Sequence, residues 1–168
     1  MHAGWIGAGL LCAALAAGAA PADEHQRGLL AYQRGDVVAA MRELRPAADA
    51  GHVPAQTLLA FILDRAGFAD EATRLYRAAA ERNDGEGHAG LAAAYVSGRG
   101  IAKDEKQAWL HFSKAAELGQ EASIEVVAQA YRQGLFGVPV DPAAAAQWRA
   151  RGEAVRQQKA AASTAPAR

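Results

Sequence analysis

The sequence predicts an all-α protein, an α-solenoid of about four stacked helix-turn-helix repeats. Two observations carry this prediction. Hydrophobic residues make up 51% of the 168 residues, and most of them are alanine, whereas the β-branched and aromatic residues that favour strands are sparse. Similar segments also return along the chain roughly every 35 residues, and self-similarity at a fixed period is the signature of a repeat architecture.

The first 22 residues are predicted to be an export signal. They read MHAGWIGAGLLCAALAAGAAPA and contain no Lys, Arg, Asp or Glu, and the charged segment DEHQR follows directly. Small residues favour cleavage after Ala22, with Ala19 as the alternative site, and an uncleaved anchor helix is the competing interpretation. We therefore expect a periplasmic or secreted protein of a bacterial envelope, with no membrane insertion of the mature chain.

Charge and cysteine content exclude several classes of function. The chain has 18 basic and 18 acidic residues, without a long run of either sign, so no electrostatic footprint for nucleic acid is expected. The single cysteine, Cys12, lies inside the predicted signal. The mature chain would then have no thiol for a disulfide, a thiolate metal site or a cysteine nucleophile.

Four units follow between residues 23 and 159, each with two helices. The segment Tyr95-Val96-Ser97-Gly98 returns as Tyr131-Arg132-Gln133-Gly134, and Phe112 to Glu117 resembles Tyr76 to Glu81. Apolar residues at helical spacing mark the second helices, as in the stripe Ala108, Trp109, Phe112, Ala115 and Ala116. Residues 160–168, AAASTAPAR, lack such a period and are predicted to form a flexible tail.

The glycines between helices are predicted to be hinges and not a phosphate loop. Gly98 and Gly134 follow first helices, where glycine adopts a left-handed conformation without strain. Asp104 has capping-box spacing to the following helix, and Asp141 precedes a proline at a first helical position. The stretch Asn83–Gly87 is expected to be a turn between units two and three, and its glycines favour bending there.

The segment GIAKDEKQAWLHFSKAAELG from Gly100 to Gly119, with the Tyr-x-x-Gly hinge before it, resembles the Sel-like repeat, a relative of the tetratricopeptide repeat. The resemblance covers nearly all of the predicted mature chain, and the hinges of units one and two are closer to the tetratricopeptide form. It implies an adaptor that holds other proteins together. In the last unit Arg151 and Gly152 fall near the paired alanines, which suits a polar capping helix.

The resemblance also implies that the first helices line a concave face. If Leu59 and Leu63 face the hairpin partner, then Phe61 points away from it. Phe61 and the positions equivalent to its neighbours in the other units would form a groove for an extended peptide or a helix of another protein, unless they are ordinary solvated residues. The candidate groove residues are Gln26, Leu30, Gln33, Thr57, Phe61, Asp64, Arg65, Ala93, Val96, Glu125, Gln129 and Arg132.

No catalytic, cofactor or metal site is predicted. His25, His52, His88 and His111 occupy different positions in different units, so we do not expect them to converge on a metal. The protein is therefore predicted to be a non-enzymatic adaptor without a cofactor. Two alternatives stay open: a cell-envelope enzyme or enzyme-like binder of cell-wall or small-molecule ligands, and a self-associating structural repeat protein.

Overall fold

The computed structural model describes residues 20–164, which form eight α-helices and one 3-10 turn and no strand. The predicted all-α fold class is confirmed. The helices are α1 (Pro21–Gln33), α2 (Val37–Asp49), α3 (Val53–Arg65), α4 (Ala69–Glu81), α5 (Gly85–Ser97), α6 (Glu105–Glu117), α7 (Glu121–Gln133) and α8 (Pro142–Thr164), and the 3-10 turn Leu135–Gly137 precedes α8.

Each helix packs against its neighbours in the chain, so the helices form hairpins that stack on one another. Helix α3 is also in direct contact with the first helices on both sides of it, α1 and α5, whereas α2 and α4 pack against the intervening α3. A stack of repeats curves toward the side on which neighbouring elements are closest. The first helices of units one to three therefore lie on the inner side of the curve.

The ends of the helices follow local sequence signals. Gly98 and Gly134 end α5 and α7 in the left-handed conformation, with φ of 73° and 74°. Asp104 Oδ1 accepts hydrogen bonds from the backbone N–H groups of Lys106 and Gln107, and Asp141 caps α8 in the same way. The segment Ser97–Gly100, which reads SGRG, is thus a hinge between two helices, as predicted, and not a phosphate loop.

Alanine and glycine set how closely the helices approach. The buried core contains Ala40, Ala47, Ala55, Ala79 and Ala115, all fully inaccessible to solvent. Larger buried side chains fill the spaces between them, and aromatic rings from α6, α7 and α8 pack against the buried residues of α6 and α7. Those larger side chains are Leu44, Leu59, Leu63, Ile124 and Val127, and the rings are Trp109, Phe112, Tyr131 and Trp148.

The segment Asn83–Gly87 differs from the prediction. Only Asn83, with φ of 61°, and the capping residue Asp84 lie outside a helix, because α5 already begins at Gly85. Gly87 is buried against α4, where an added Cβ would lie 2.7 Å from the backbone nitrogen of Ala80. Gly87 thus lets α5 approach α4 closely, and within this segment the turn is limited to Asn83 and Asp84.

The two ends of the chain also refine the sequence interpretation. Helix α8 continues to Thr164, so residues 160–164 are helical and not an irregular tail, because Ala-rich sequence continues a helix readily. Gly152 is buried beside Ile124, which lets the last helix approach α7 closely. The predicted export signal lies outside the described residues, apart from Ala20 and the first two residues of α1. Among residues 20–164, no helix combines the length and the apolar character needed to cross a bilayer.

Candidate functional site

Two adjoining cavities open between the first helices α3 and α5, with Tyr76 of α4 shared by both; we call them the inner groove. One cavity, of about 250 Å³, is lined by Thr57, Leu58, Phe61, Tyr76 and Glu86. The other, of about 190 Å³, is lined by Asp64, Thr73, Tyr76, Gly90, Ala93, Ala94, Ser97 and Arg99. The groove therefore joins units two and three.

Tyr76 owes its position to Gly90. An alanine Cβ at Gly90 would lie only 2.5 Å from Cζ of the Tyr76 ring, so only glycine leaves room for the ring there. Burial raises the pKa of Tyr76 well above its ordinary range, and the nearby charges of Asp64 and Glu86 raise it further while Arg99 opposes them. Tyr76 thus presents a neutral hydroxyl, which can donate and accept hydrogen bonds.

Phe61 presents an aromatic ring at the edge of the groove. Its side chain is 40% exposed although it lies in the middle of a helix. The ring of Tyr32 on α1 meets it edge-on at 6.1 Å between centroids, and the guanidinium carbon of Arg65 lies 5.7 Å from its centroid. Phe61 is therefore held in place by its neighbours while part of its surface remains exposed.

An ion pair connects α3 to the hinge after α5. Arg99 lies 2.7 Å from Oδ1 of Asp64 and also donates to the Asp64 backbone carbonyl. The Thr73 hydroxyl donates to the backbone carbonyl of Arg99 at 3.3 Å. Because the two charged side chains remain 51% and 37% exposed, the pair contributes at most about 1 kcal/mol. Its effect is to hold the hinge against the groove.

The structure brings only some of the predicted groove residues together. Thr57, Phe61, Asp64 and Ala93 line the two cavities, and Arg65 reaches over Phe61. The remaining seven are exposed or half-buried but line neither cavity. They are Gln26, Leu30 and Gln33 on α1, Val96 on α5, and Glu125, Gln129 and Arg132 on α7.

Sequence reasoning missed eight residues that line the groove: Leu58, Thr73, Tyr76, Glu86, Gly90, Ala94, Ser97 and Arg99. Tyr76 lies on a second helix, at the position that corresponds to Phe112 in the apolar stripe of α6, and only the neighbouring Gly90 reveals the space into which its ring extends. The Arg in the SGRG hinge, which the next unit replaces with Leu135, was the one available signal of a local role for Arg99.

The four histidines of the described residues form two close pairs, which the alignment of the repeats did not indicate. Nδ1 of His88 lies 2.9 Å from Nδ1 of His111, and the ring of Tyr95 stacks on His111 at 5.7 Å. The rings of His25 and His52 are also close, at 5.2 Å between centroids. Repeat alignment compares equivalent positions, whereas antiparallel helices bring together positions that are not equivalent.

The environment of the His88–His111 pair favours the neutral form of both rings. Burial lowers the pKa of both imidazoles, with Lys114 also acting on His88, and His88 and Arg77 on His111. A hydrogen bond between two Nδ1 atoms needs one ring to donate and the other to accept, so double protonation would break it. No group of three or more His, Cys, Asp or Glu residues within 20–164 is arranged to hold a metal ion.

A further cavity, of about 420 Å³, lies between α2 and α4 on the side away from the inner groove. Met41, Pro46, Leu63 and Phe68 form its apolar walls, and Arg42, Arg45 and Glu71 line the rest. Arg45 and Glu71 form an ion pair with each other. The cavity thus has a largely apolar lining and a charged rim.

Comparison with known proteins agrees with this architecture. The chain has a TM-score of 0.73 to a Sel1 repeat protein from Oxalobacter formigenes, at 23% identity, over 79% of this chain and 56% of that one. It has a TM-score of 0.70 to a protective antigen of uropathogenic Escherichia coli strains that displays an SLR fold, at 24% identity, over 80% of this chain and 30% of that one. The chain is therefore a helical repeat protein with the Sel1-like repeat fold, as its sequence motifs predicted.

A curated relative carries no assigned function. The chain is 35% identical over 105 residues to an uncharacterized protein of Neisseria meningitidis serogroup B, a match that covers 62% of this chain and 22% of that protein. The chain thus spans about a fifth of the length of this relative. No family model matches the chain.

Proposed function

We propose that this chain is an exported, non-enzymatic adaptor that binds a segment of another protein in the inner groove. The observation that carries the proposal is the pair of adjoining cavities on the inner side of the stack, which has an exposed aromatic ring at Phe61 and the half-buried Tyr76 lining both cavities. Proteins with the Sel1-like repeat fold generally mediate protein–protein interactions, which supports the assignment.

Export rests on residues 1–22, whose lack of charge and small residues near Ala22 fit a cleaved signal. The balanced charge of the chain argues against nucleic acid as the partner. Fractionation of the native cells with sequencing of the mature N-terminus tests this part. Recovery in the envelope or medium with a new N-terminus near Ala22 supports export, and recovery of the intact chain in the cytoplasm refutes it.

Site-specific photocrosslinking tests the adaptor role. A photoreactive residue replaces Phe61 in one variant and Lys106, which is exposed on the second helix α6, in the control. We expect a partner to be captured from position 61 only, in the native cell envelope, and the purified partner to bind the wild-type chain more tightly than Phe61→Ala.

The other outcomes decide between the alternatives. If crosslinking from both positions captures no partner and the chain is recovered as a monomer, the adaptor role is contradicted and an enzyme-like binder of a glycan or small molecule is favoured. Crosslinks between copies of this chain, with a dimer or larger assembly in light scattering, would instead favour a self-associating repeat protein.

A further inference from the structure

We propose that the cavity lined by Thr57, Leu58, Phe61, Tyr76 and Glu86 accepts a lysine or arginine side chain of an extended partner segment. We call it the Glu86 cavity. The inference rests on the proposed function, because it names the chemistry of the segment that the inner groove would bind. It depends on the composition of the cavity wall and on which charges near it are already paired.

The wall of the cavity changes from apolar to polar. Leu58 and Phe61 supply apolar surface, whereas Glu86 supplies a carboxylate and Tyr76 a hydroxyl. Lysine and arginine have the same division, an aliphatic stem with a cationic head. The face of Phe61 already attracts a cation of this chain, since the guanidinium carbon of Arg65 lies 5.7 Å from the ring centroid.

The charges around the cavity leave a carboxylate available. Asp64 is paired with Arg99, and Arg65 lies over Phe61. Glu86 belongs to none of the ion pairs within residues 20–164, and its one hydrogen bond there is a 3.5 Å contact with the neutral amide of Gln120.

The effect of these charges is seen at Tyr76. Burial is the main cause of the raised pKa of its hydroxyl, and Asp64 and Glu86 raise this pKa further while Arg99 lowers it, so each of the two carboxylates makes the electrostatic potential between the cavities more negative. A cationic head there could donate to Glu86 and to the Tyr76 oxygen, whereas a carboxylate of a ligand would be repelled.

The adjoining cavity favours a peptide over a free amine. It continues the groove past Tyr76 and is lined by the small residues Ala93, Ala94 and Ser97. Small side chains let a main chain approach, and alternate side chains of an extended peptide point to the same side. One side chain can therefore enter the Glu86 cavity while the main chain continues along α5.

Peptide libraries with one fixed position test the proposal without knowledge of the partner. The probes are fluorescent heptapeptide mixtures, blocked at both ends, whose central residue is Lys, Arg, norleucine or Glu and whose other positions are randomised. Norleucine matches the lysine stem without its charge. Fluorescence anisotropy is measured with the full chain, with Glu86→Gln and with Glu153→Gln, an exposed carboxylate on α8 that serves as the control.

We expect the Lys and Arg mixtures to bind the wild-type chain about three- to tenfold more tightly than the norleucine mixture, as an exposed carboxylate and an aromatic face permit. Glu86→Gln should remove this difference and Glu153→Gln should keep it. The Glu mixture should bind least. Circular dichroism and thermal unfolding of each variant check that the fold is intact, and Tyr76→Phe, which removes only a hydroxyl, should weaken the preference partly.

Three results would overturn the proposal. A lysine preference that survives Glu86→Gln would place the cation elsewhere. Equal binding of all four mixtures, weakened by Phe61→Ala, would reject the cationic side chain but retain peptide binding in the inner groove. If no mixture binds, the proposal also fails, and the crosslinking from Phe61 then decides separately whether the groove binds a protein at all.

Discussion

Replacement of Gly87 by alanine should destabilise the protein, whereas the same replacement at Gly85 should not. Both residues lie in the first turn of α5, two positions apart. A Cβ at Gly87 would lie 2.6 Å from the Cβ of Ala79 and 2.7 Å from the backbone nitrogen of Ala80. At Gly85 the nearest atom would be a side-chain carbon at 3.4 Å, which is ordinary contact.

The magnitude follows from two opposing effects. Insertion of a methyl group into a closely packed contact costs about 1–3 kcal/mol, because the backbone of α4 cannot rotate aside as a side chain can. Alanine returns about 0.4–1 kcal/mol, since it restricts the unfolded chain more than glycine does. Gly87→Ala should thus lower the free energy of unfolding by about 1–2 kcal/mol, and Gly85→Ala should raise it by up to about 1 kcal/mol.

Urea unfolding, followed by the helix signal in far-ultraviolet circular dichroism, gives the free energy of unfolding of both variants and of the wild-type chain. The m-value checks that unfolding exposes the same surface in each. In thermal unfolding, each kcal/mol should appear as about 2–4 °C in Tm for a chain of this size. If Gly87→Ala were as stable as the wild-type chain, α4 and α5 would not approach as closely as described, and the joint between units two and three would have to be looser.

Three further predictions concern acid sensitivity, the core and a helix cap. Because burial lowers the pKa of His88 and His111, the folded chain binds fewer protons than the unfolded chain when the pH falls below the ordinary histidine pKa of 6.5. The contribution of the two neutral histidines to the free energy of unfolding should therefore be full above this pH and decrease as the pH drops below it. His88→Gln, which installs the residue found at the equivalent Gln56, should reduce this acid loss in unfolding experiments at neutral and mildly acidic pH, and an unchanged pH dependence would contradict the reasoning. Leu44→Ala removes a side chain with 0% exposure and should lower the free energy of unfolding by about 3–5 kcal/mol in urea; a loss below about 1 kcal/mol would mean that the site collapses around the smaller residue. Asp104→Ala removes an acceptor for two backbone N–H groups and should cost about 0.5–2 kcal/mol, measured in the same way, whereas Asp104→Asn should retain most of the stability.

The helices and their ends could be predicted from the sequence because their causes are local. Asp104 and Asp141 cap the helices that follow them, and Gly98 and Gly134 end the helices that precede them, as the spacing predicted. Each of these assignments depends on residues within one turn of the cap.

The groove could be predicted only in part. Phe61 was identified as an exposed residue on the face of a first helix from the stripe formed by Leu59 and Leu63 alone. That Tyr76 of a second helix reaches the same surface depends on the absence of a side chain at Gly90 on the next unit. A contact of this kind relates two helices, so no pattern within either one reveals it.

The sequence by itself determined the number of repeats, the helical class of the fold and the hinges, since helix propensity, apolar period and glycine conformation act over short distances. Only the tertiary structure decided that His88 meets His111 and that Gly87 lies in a helix packed against α4 and not in a turn. Both outcomes depend on how each helix is rotated about its own axis and how closely it approaches its neighbour. Those two quantities follow from the packing of alanine and glycine between helices, which becomes defined only when all the units are stacked.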